Sequence, residues 1–317
     1  MRPTGKLHIG HYVGALENWI TLQENYESFF LIADYHVLTT TLNTEHIYEN
    51  SIQMLIDWLS SGIDPNKSII FRQSQIKEHT ELFLIYSMLI TKSRLERNPT
   101  LKDQIRDLNI ENVIYGHLGY PVLQASDILL YKGEVVPVGE DQVPHIEITR
   151  EVARDFNRNF EEIFPIPNPK LTIFSRLSGL DGNTKMSKSL NNTISISASE
   201  EEIKTQVKKS VTDPKKIRKN DIGHPEVCVV FTYHKKFNSQ EIEQIEKDCK
   251  SGNLGCVDCK NNCAKKISNY FESVREKRNY YENNFSLLED ILNDGEKKAK
   301  KIASQTMSEV RSVMKFG

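Results

Sequence analysis

The chain has 317 residues, of which 38% are hydrophobic and 26% charged, with a formal net charge of −2. That length allows two domains and a sizeable core, while the near-neutral balance gives no global sign of a nucleic-acid partner. No apolar run reaches membrane-spanning length and no signal-peptide pattern stands at the start, so a cytosolic protein is expected. Its five cysteines are then expected to be reduced, metal-bound or buried rather than disulfide-paired.

Residues 8–24 carry apolar positions at helical spacing: Tyr12, Ala15, Leu16, Trp19 and Ile20. Ser28 to Ala33 is a short apolar run that reads as a buried parallel strand, with Asp34 at its carboxyl end. A helical pattern over 45–61 (Ile47, Ile52, Leu55, Ile56, Leu59) stops at Gly62, and Ser68 to Arg72 reads as the next strand. Helices are expected at 78–92, 121–132 and 142–156, with a strand at Val135 to Val138. Such alternation predicts an α/β fold with a doubly wound parallel, Rossmann-like sheet. Residues 160–184 are rich in Pro, Gly, Ser and Asn and read as loop. Beyond residue 198 strand signals nearly vanish, and 198–212, 239–249, 260–283, 286–294 and 296–314 read as helices. The organisation expected is a Rossmann-like catalytic domain over 1–190 and an all-α domain over 191–295. A C-terminal helix over 296–317, packing back on the first domain, completes it.

Two short strings carry chemistry. Residues 2–16 pass from a Pro3–Gly5 turn into a helix starting near His8, in the string His8-Ile9-Gly10-His11. A helix start presents free N–H groups and a positive dipole end to phosphate, Gly10 permits close approach, and two histidines can donate to phosphate oxygens. The second string, Lys185-Met186-Ser187-Lys188-Ser189, lies in a Gly/Asn/Ser-rich loop suited to a mobile lid. Its lysines can neutralise charge on a leaving pyrophosphate. A third signal is Asp127, a carboxylate in the apolar stretch Tyr120 to Leu130. If buried it needs a donor, and an indole offers an N–H with no acceptor. A basic run of Lys204, Lys208, Lys209, Lys215, Lys216, Arg218 and Lys219, opposed by Asp213, reads either as a solvated helix face or as a phosphate-binding surface.

In order and spacing the two strings resemble the ATP-handling signatures of class I aminoacyl-tRNA synthetases. Residues 2–16, 120–150 and 183–191 resemble the bacterial-type tryptophan–tRNA ligases, and the similarity covers nearly the whole chain. The resemblance implies activation of L-tryptophan by ATP, with Mg²⁺ accompanying the nucleotide, and transfer to tRNA-Trp by a homodimer. It assigns His8 and His11 to the ATP phosphates and Lys185 and Lys188 to the pyrophosphate. Thr4, Gly10, Gly139, Asp141, Met186 and Ser187 would also line the ATP site. Asp127 would read the indole, Tyr120 and Gln142 would hold the substrate's amino group, and His36 would join the same pocket. The alternatives are a tyrosine–tRNA ligase and a synthetase-like RNA-binding or redox module without ligase activity.

Cys249, Cys256 and Cys259 form C-x6-C-x2-C, with Cys228 upstream and Cys263 downstream. Zinc ribbons usually pair two C-x2-C knuckles and this chain has one, whereas four thiolates can hold a [4Fe–4S] cluster at less regular spacings. His224-Pro225-Glu226-Val227-Cys228 and Gly255-Cys256-Val257-Asp258-Cys259-Lys260 resemble an iron–sulfur-bearing subset of the family. That resemblance implies Cys228, Cys249, Cys256 and Cys259 as the ligands of a [4Fe–4S] cluster in the anticodon-binding domain. Zinc, ordinary thiols, and Cys263 in place of Cys228 stay open. Finally, a sheet of this type feeds its first strand into the phosphate-binding turn. Here the turn begins at Arg2, so that strand is expected to be missing.

Overall fold

The structure is a computed structural model that describes residues 1–171, 177–182 and 186–316. The first helical segment comprises α1 (Ile9–His11), a π turn (Tyr12–Leu16) and α2 (Glu17–Leu22). Strand β1 (Ser28–Ile32) follows, then α3 (Ile47–Ser61), which ends on Gly62 at φ +118, a left-handed cap suited to glycine. Strand β2 (Ser68–Arg72) leads into α4 (Glu78–Ser87), α5 (Lys92–Glu96) and α6 (Pro99–Asp107). Helix α7 (Tyr115–Leu129), β3 (Val135–Val138), α8 (Val143–Asn159) and β4 (Asn168–Leu171) complete the first part.

Strands β1 and β2 pair in parallel from Ser28↔Ser68 to Ile32↔Arg72, and β3 and β4 from Val135↔Asn168 to Val138↔Leu171. The period of two decides the layers. Phe30, Ile32 and Ile70 enter one buried cluster with α1 and α3, while Phe29, Leu31, Ile69 and Phe71 face a second with α4, α7 and α8. Helices therefore cover both faces, as in a doubly wound sheet. Met1 pairs beside β1: its amino group donates to Leu31 O at 2.7 Å, and Ala33 N donates to Met1 O at 2.8 Å. Between β1 and β3 lies a cavity of about 710 Å³ lined by Ser28–Leu31 and Val135–Val138.

Residues 160–184 contain β4, where the sequence predicts only loop. The strand is mostly exposed and carries Pro169, which donates no ladder bond, so it has the composition of an edge strand rather than of a core run.

The helical part comprises α9 (Glu200–Lys209), α10 (Val229–Phe237), α11 (Ile242–Lys250), α12 (Cys256–Tyr270), α13 (Glu272–Glu282) and α14 (Phe285–Val313). Ser199 and Glu202 start α9 with a reciprocal capping box. The segment before it is stitched to the N-terminal turn: Ile9 N donates to Ile194 O at 2.9 Å and Ile196 N to Leu7 O at 3.1 Å. One buried cluster runs from Leu7 and Ile9 through Val207, Val230, Ile267 and Leu288, so the core is continuous across residue 190. Helix α14 is unbroken at Gly295, where the sequence predicts a break. A Cβ there would stand 1.8 Å from Ile70 O, so this glycine serves close passage of the helix over β2. Among the described residues no helix is long and apolar enough to cross a membrane.

Candidate functional site

The two sequence strings meet in space. His8 precedes α1 in extended backbone, its N–H donates to His11 Nδ1 at 3.3 Å, and the two imidazoles stack with centroids 3.6 Å apart. Gly5 turns the chain into this segment at φ +93. At Gly10 a Cβ would lie 3.0 Å from both His8 Nδ1 and Met186 Sδ, so the second string closes directly over the first. Lys188 Nζ donates to Thr4 O at 2.8 Å, and Ser187 N to Asn192 Oδ1 at 2.7 Å. Partial burial lowers the Lys188 pKa, against an opposing pull from Asp57. Lys185 lies outside the described residues.

The second group surrounds the large cavity, at the carboxyl ends of β1 and β3 where open α/β sheets bind ligands. His36, Tyr120, Asp127 and Gln142 all line it, together with Arg2 and Gln124. Asp127 is the centre. His36 Nε2 lies 2.8 Å from Oδ2, Gln73 Nε2 donates to Oδ1 at 2.7 Å, and His79 Nδ1 lies 2.8 Å from Oδ1. Burial opposes the Asp127 charge, but the hydrogen bonds from His36 and His79 outweigh it and hold the carboxyl well below the usual range. An ionised carboxylate has about four acceptor positions, so the bonds from His36 and Gln73, with His79 close by, leave acceptor capacity to spare.

The surrounding groups are themselves oriented. Gln73 Oε1 accepts from Tyr35 N at 3.2 Å, which turns its amide nitrogen to Asp127. His79 Nε2 is 2.9 Å from the Tyr131 hydroxyl. Asn98 caps α6, its Oδ1 accepting from Leu101 N, so its Nδ2 donates to His145 Nδ1 at 3.2 Å. Burial lowers the His145 pKa to about 4, so the ring is neutral at neutral pH. With Nδ1 accepting, Nε2 carries the proton and donates to the Tyr120 oxygen at 2.7 Å. Gln142 Nε2 donates to Asp141 Oδ2 at 3.1 Å, and Thr100 Oγ1 to Asp141 O at 2.6 Å. A Cβ on Gly139 would come within 2.7 Å of Asp141 Oδ1, so a larger residue there would displace the Asp141 carboxylate.

The cysteines form a third group. Cys228 caps α10, Cys249 ends α11, and Cys256 and Cys259 share the first turn of α12. All four line one small cavity of about 20 Å³ with Asp213 and Lys216. Cys263, one turn further along α12, is buried in the hydrophobic core and does not line that cavity. Burial, with the neighbouring thiols adding to it, pushes Cys259 up to about 12 and raises Cys228 and Cys249. Among the described residues no group of three His, Cys, Asp or Glu side chains stands at metal-holding distance. The basic run divides here: Lys204, Lys208, Lys209, Lys215, Arg218 and Lys219 are exposed, but Lys216 is buried and donates to Asp221 O. Its alkyl chain packs at the thiol cavity, so it is not part of the solvated face.

The His8 turn thus faces the Met186–Lys188 segment, and Asp127 stands at the wall of a cavity of about 710 Å³ between β1 and β3. The family model described as class I tRNA synthetases (W and Y) matches residues 1–272. A tryptophan–tRNA ligase of Thermotoga maritima is 46% identical over 319 residues, covering 99% of this chain and 97% of that protein. One from Aquifex aeolicus is 43% identical, covering 99% and 98%.

This chain belongs to the tryptophan–tRNA ligases.

The solved tryptophanyl-tRNA synthetase of Campylobacter jejuni, complexed with ADP and tryptophan, matches with a TM-score of 0.88. It is 35% identical, covering 98% of this chain and 97% of that one. A tyrosyl-tRNA synthetase of Archaeoglobus fulgidus, 23% identical with a TM-score of 0.67, shares the fold. The architecture is therefore the Rossmann-like α/β fold of class I synthetases with a helical C-terminal region.

Within the ligase pocket, sequence reasoning missed Gln73, His79, Asn98 and His145. Their partners lie 54 residues away for Gln73–Asp127 and 25 for Tyr120–His145, beyond any local pattern. For His145 one signal existed: it follows Gln142-Val143-Pro144, a helix start with Pro in its first turn whose N-cap Gln142 lines the cavity.

Proposed function

We propose that the chain activates L-tryptophan with ATP to tryptophanyl-adenylate and then charges tRNA-Trp, with the following division of labour. The observation that carries the assignment is the Asp127 carboxylate, kept ionised at the wall of the cavity with acceptor capacity to spare. It accepts the indole N–H. The Tyr120 oxygen and the Gln142 amide oxygen accept from the substrate's ammonium group. His8, His11 and the turn from Thr4 to Gly10 take the ATP phosphates, with Gly139 and Asp141 at the ribose end. On ATP binding the Lys188 ammonium exchanges the Thr4 carbonyl for phosphate oxygens, and Lys185 acts beside it. Mg²⁺ accompanies the nucleotide. The tryptophan carboxylate attacks the α-phosphorus in line, the bond to the β-phosphate oxygen breaks, and pyrophosphate leaves. A terminal ribose hydroxyl of tRNA then attacks the adenylate carbonyl, and AMP leaves. The protein supplies positioning and charge stabilisation rather than a covalent intermediate.

The same reading extends to the helical part. The exposed Lys204, Lys208, Lys209, Lys215, Arg218 and Lys219 contact tRNA phosphates, and the tRNA spans the two subunits of a homodimer. Cys228, Cys249, Cys256 and Cys259 hold a [4Fe–4S] cluster: an all-sulfur donor set around one cavity suits soft metal centres, with the Lys216 alkyl chain beside it. A cluster held there would tie α10, α11 and α12 together. ATP–pyrophosphate exchange with tryptophan and with tyrosine tests the substrate: exchange with tyrosine alone overturns it. Iron, sulfide and zinc assays on anaerobically purified protein test the cluster, and zinc alone at full occupancy refutes it.

A further inference from the structure

One buried ion pair lies outside the machinery just described. Asp57, on the inner face of α3, is fully buried. Its Oδ2 accepts from Leu7 N at 2.6 Å, and Leu7 is the residue before His8. Its Oδ1 accepts from Arg278 Nη1 on α13, also buried. Arg278 Nη2 donates to Gln53 Oε1 and lies 3.0 Å from Glu282 Oε1. Lys6 and Lys188 act on the same carboxylate through space. One carboxylate thus holds the backbone that carries His8, pulls on the lysine of the opposing lid, and is itself held by the helical region.

Stability alone is a weak reason for this arrangement. Burial outweighs the pull of Arg278 and the Leu7 N–H and leaves the Asp57 carboxyl raised to about 6. Buried ion pairs often contribute no more than apolar residues of the same volume; their best-attested use is to fix register. What this pair fixes is the height of Leu7 relative to α13. We propose that Asp57 and Arg278 are positioning residues through which the helical, tRNA-receiving region sets the Leu7–Gly10 turn for ATP. This rests on the reading of that turn as the phosphate site.

The test uses the full chain with Arg278→Met, Arg278→Lys, Asp57→Asn, the Asp57→Asn/Arg278→Met double variant, and His11→Ala as a report on the turn itself. Each is assayed by ATP–pyrophosphate exchange with separate titrations of ATP and tryptophan, and by circular dichroism. The expected result is a fall of about tenfold or more in kcat/KM for ATP in Arg278→Met and Asp57→Asn, with KM for tryptophan within about twofold of the parent. The double variant should be no worse than the weaker single, because the pair acts as one unit, and Arg278→Lys should recover part of the loss. Equal losses for ATP and tryptophan, additive single effects, or folded variants with unchanged ATP parameters overturn the proposal. So does failure of every variant to fold, Arg278→Lys included, which leaves a purely structural pair. If His11→Ala leaves the ATP parameters intact, the reading of the turn has failed instead.

Discussion

At Asp127 a buried charge is met by donors from three different elements; at Cys259 a thiol faces three others, with the His234 ring nitrogen 3.4 Å from its sulfur. In the first case burial raises the carboxyl, and the hydrogen bonds from His36 and His79 more than reverse it. In the second, burial and the neighbouring thiols act in the same direction and drive the pKa up to about 12. The groups around Asp127 are already ordered and leave it acceptor capacity, which on the proposed reading takes the indole N–H. The Cys259 thiol stays neutral at neutral pH, and on the proposed reading a metal would take the place of its proton. Pre-organisation and ligand demand are thus separable from polar bookkeeping alone, on one chain and at similar depth.

The sharpest way to break the contrast is to remove the charge that the pocket is built around. Asp127→Ala leaves the donors of His36, Gln73 and His79 without their acceptor and the indole N–H unread. Losing a buried charge-assisted bond costs about 3–4 kcal/mol, so kcat/KM for tryptophan should fall on the order of 100- to 1000-fold. KM for ATP should stay near the parent value, as measured by pyrophosphate exchange. A fall shared equally by ATP would mean that Asp127 supports the fold rather than the substrate.

The thiol cavity should respond to pH in the opposite sense to the pocket. Asp127 has a folded pKa below its unfolded value. Its contribution to stability is present above about pH 3.9 and is lost as pH falls through the depressed value. Cys259 has a folded pKa raised from 9.0 to about 12, so the metal-free protein is favoured below pH 9 and loses stability as pH rises toward 12. Metal binding needs thiolates, so the loaded protein should gain affinity for its metal over the same rise. Chelation at pH 8 should lower unfolding free energy by about 4 kcal/mol, the value for a ligand at a thousand times its dissociation constant. Denaturant melts of loaded and stripped protein across pH check both signs. Identical curves would show that the cavity holds no metal.

How legible these regions were in the sequence differs for a physical reason. Strands β1, β2 and β3 and helices α3 and α8 follow from periodicity, because burial of one face writes a local pattern. Strand β4 does not, since an exposed edge strand with Pro169 has no apolar pattern to show. Gly295 reads as a helix break locally, yet its cause is Ile70 O, which lies far away in the chain. The same holds at the site. Asp127 stands out as a carboxylate in apolar surroundings, but the groups that hold it lie on β1's exit loop, after β2 and on α4. Lys216 reads as part of a basic face because composition cannot tell which lysine turns inward. The cysteines were found by motif and resemblance, while their shared cavity needed coordinates.

The smallest effect probes how far pre-organisation of the pocket extends from Asp127. Asn98 does two things: its oxygen caps α6 and its nitrogen donates to His145 Nδ1. Asn98→Ser keeps a good cap, so helix stability should change by only a few tenths of a kcal/mol. The shorter serine loses the bond to His145, and nothing then fixes the neutral ring's tautomer. In the tautomer with Nε2 unprotonated, the Tyr120 hydroxyl donates to the ring and its oxygen loses a donor. The hydroxyl proton also turns away from the cavity, which alters how the oxygen meets the substrate's ammonium group. About half the molecules in the wrong tautomer would weaken tryptophan binding only about twofold. Exclusive population of that tautomer keeps the Tyr120–His145 bond with its direction reversed, and the change felt by the ammonium group is bounded by one hydrogen bond of about 1 kcal/mol, or roughly fivefold. KM for tryptophan should therefore rise by about two- to fivefold, with KM for ATP and melting temperature near the parent values. Because the His145 pKa is lowered to about 4, the effect should be flat between pH 6 and 8. A pH-dependent rise across that range would instead mean that Asn98 restrains the ring's protonation, and that the pocket's order depends on charge at His145 as well as at Asp127.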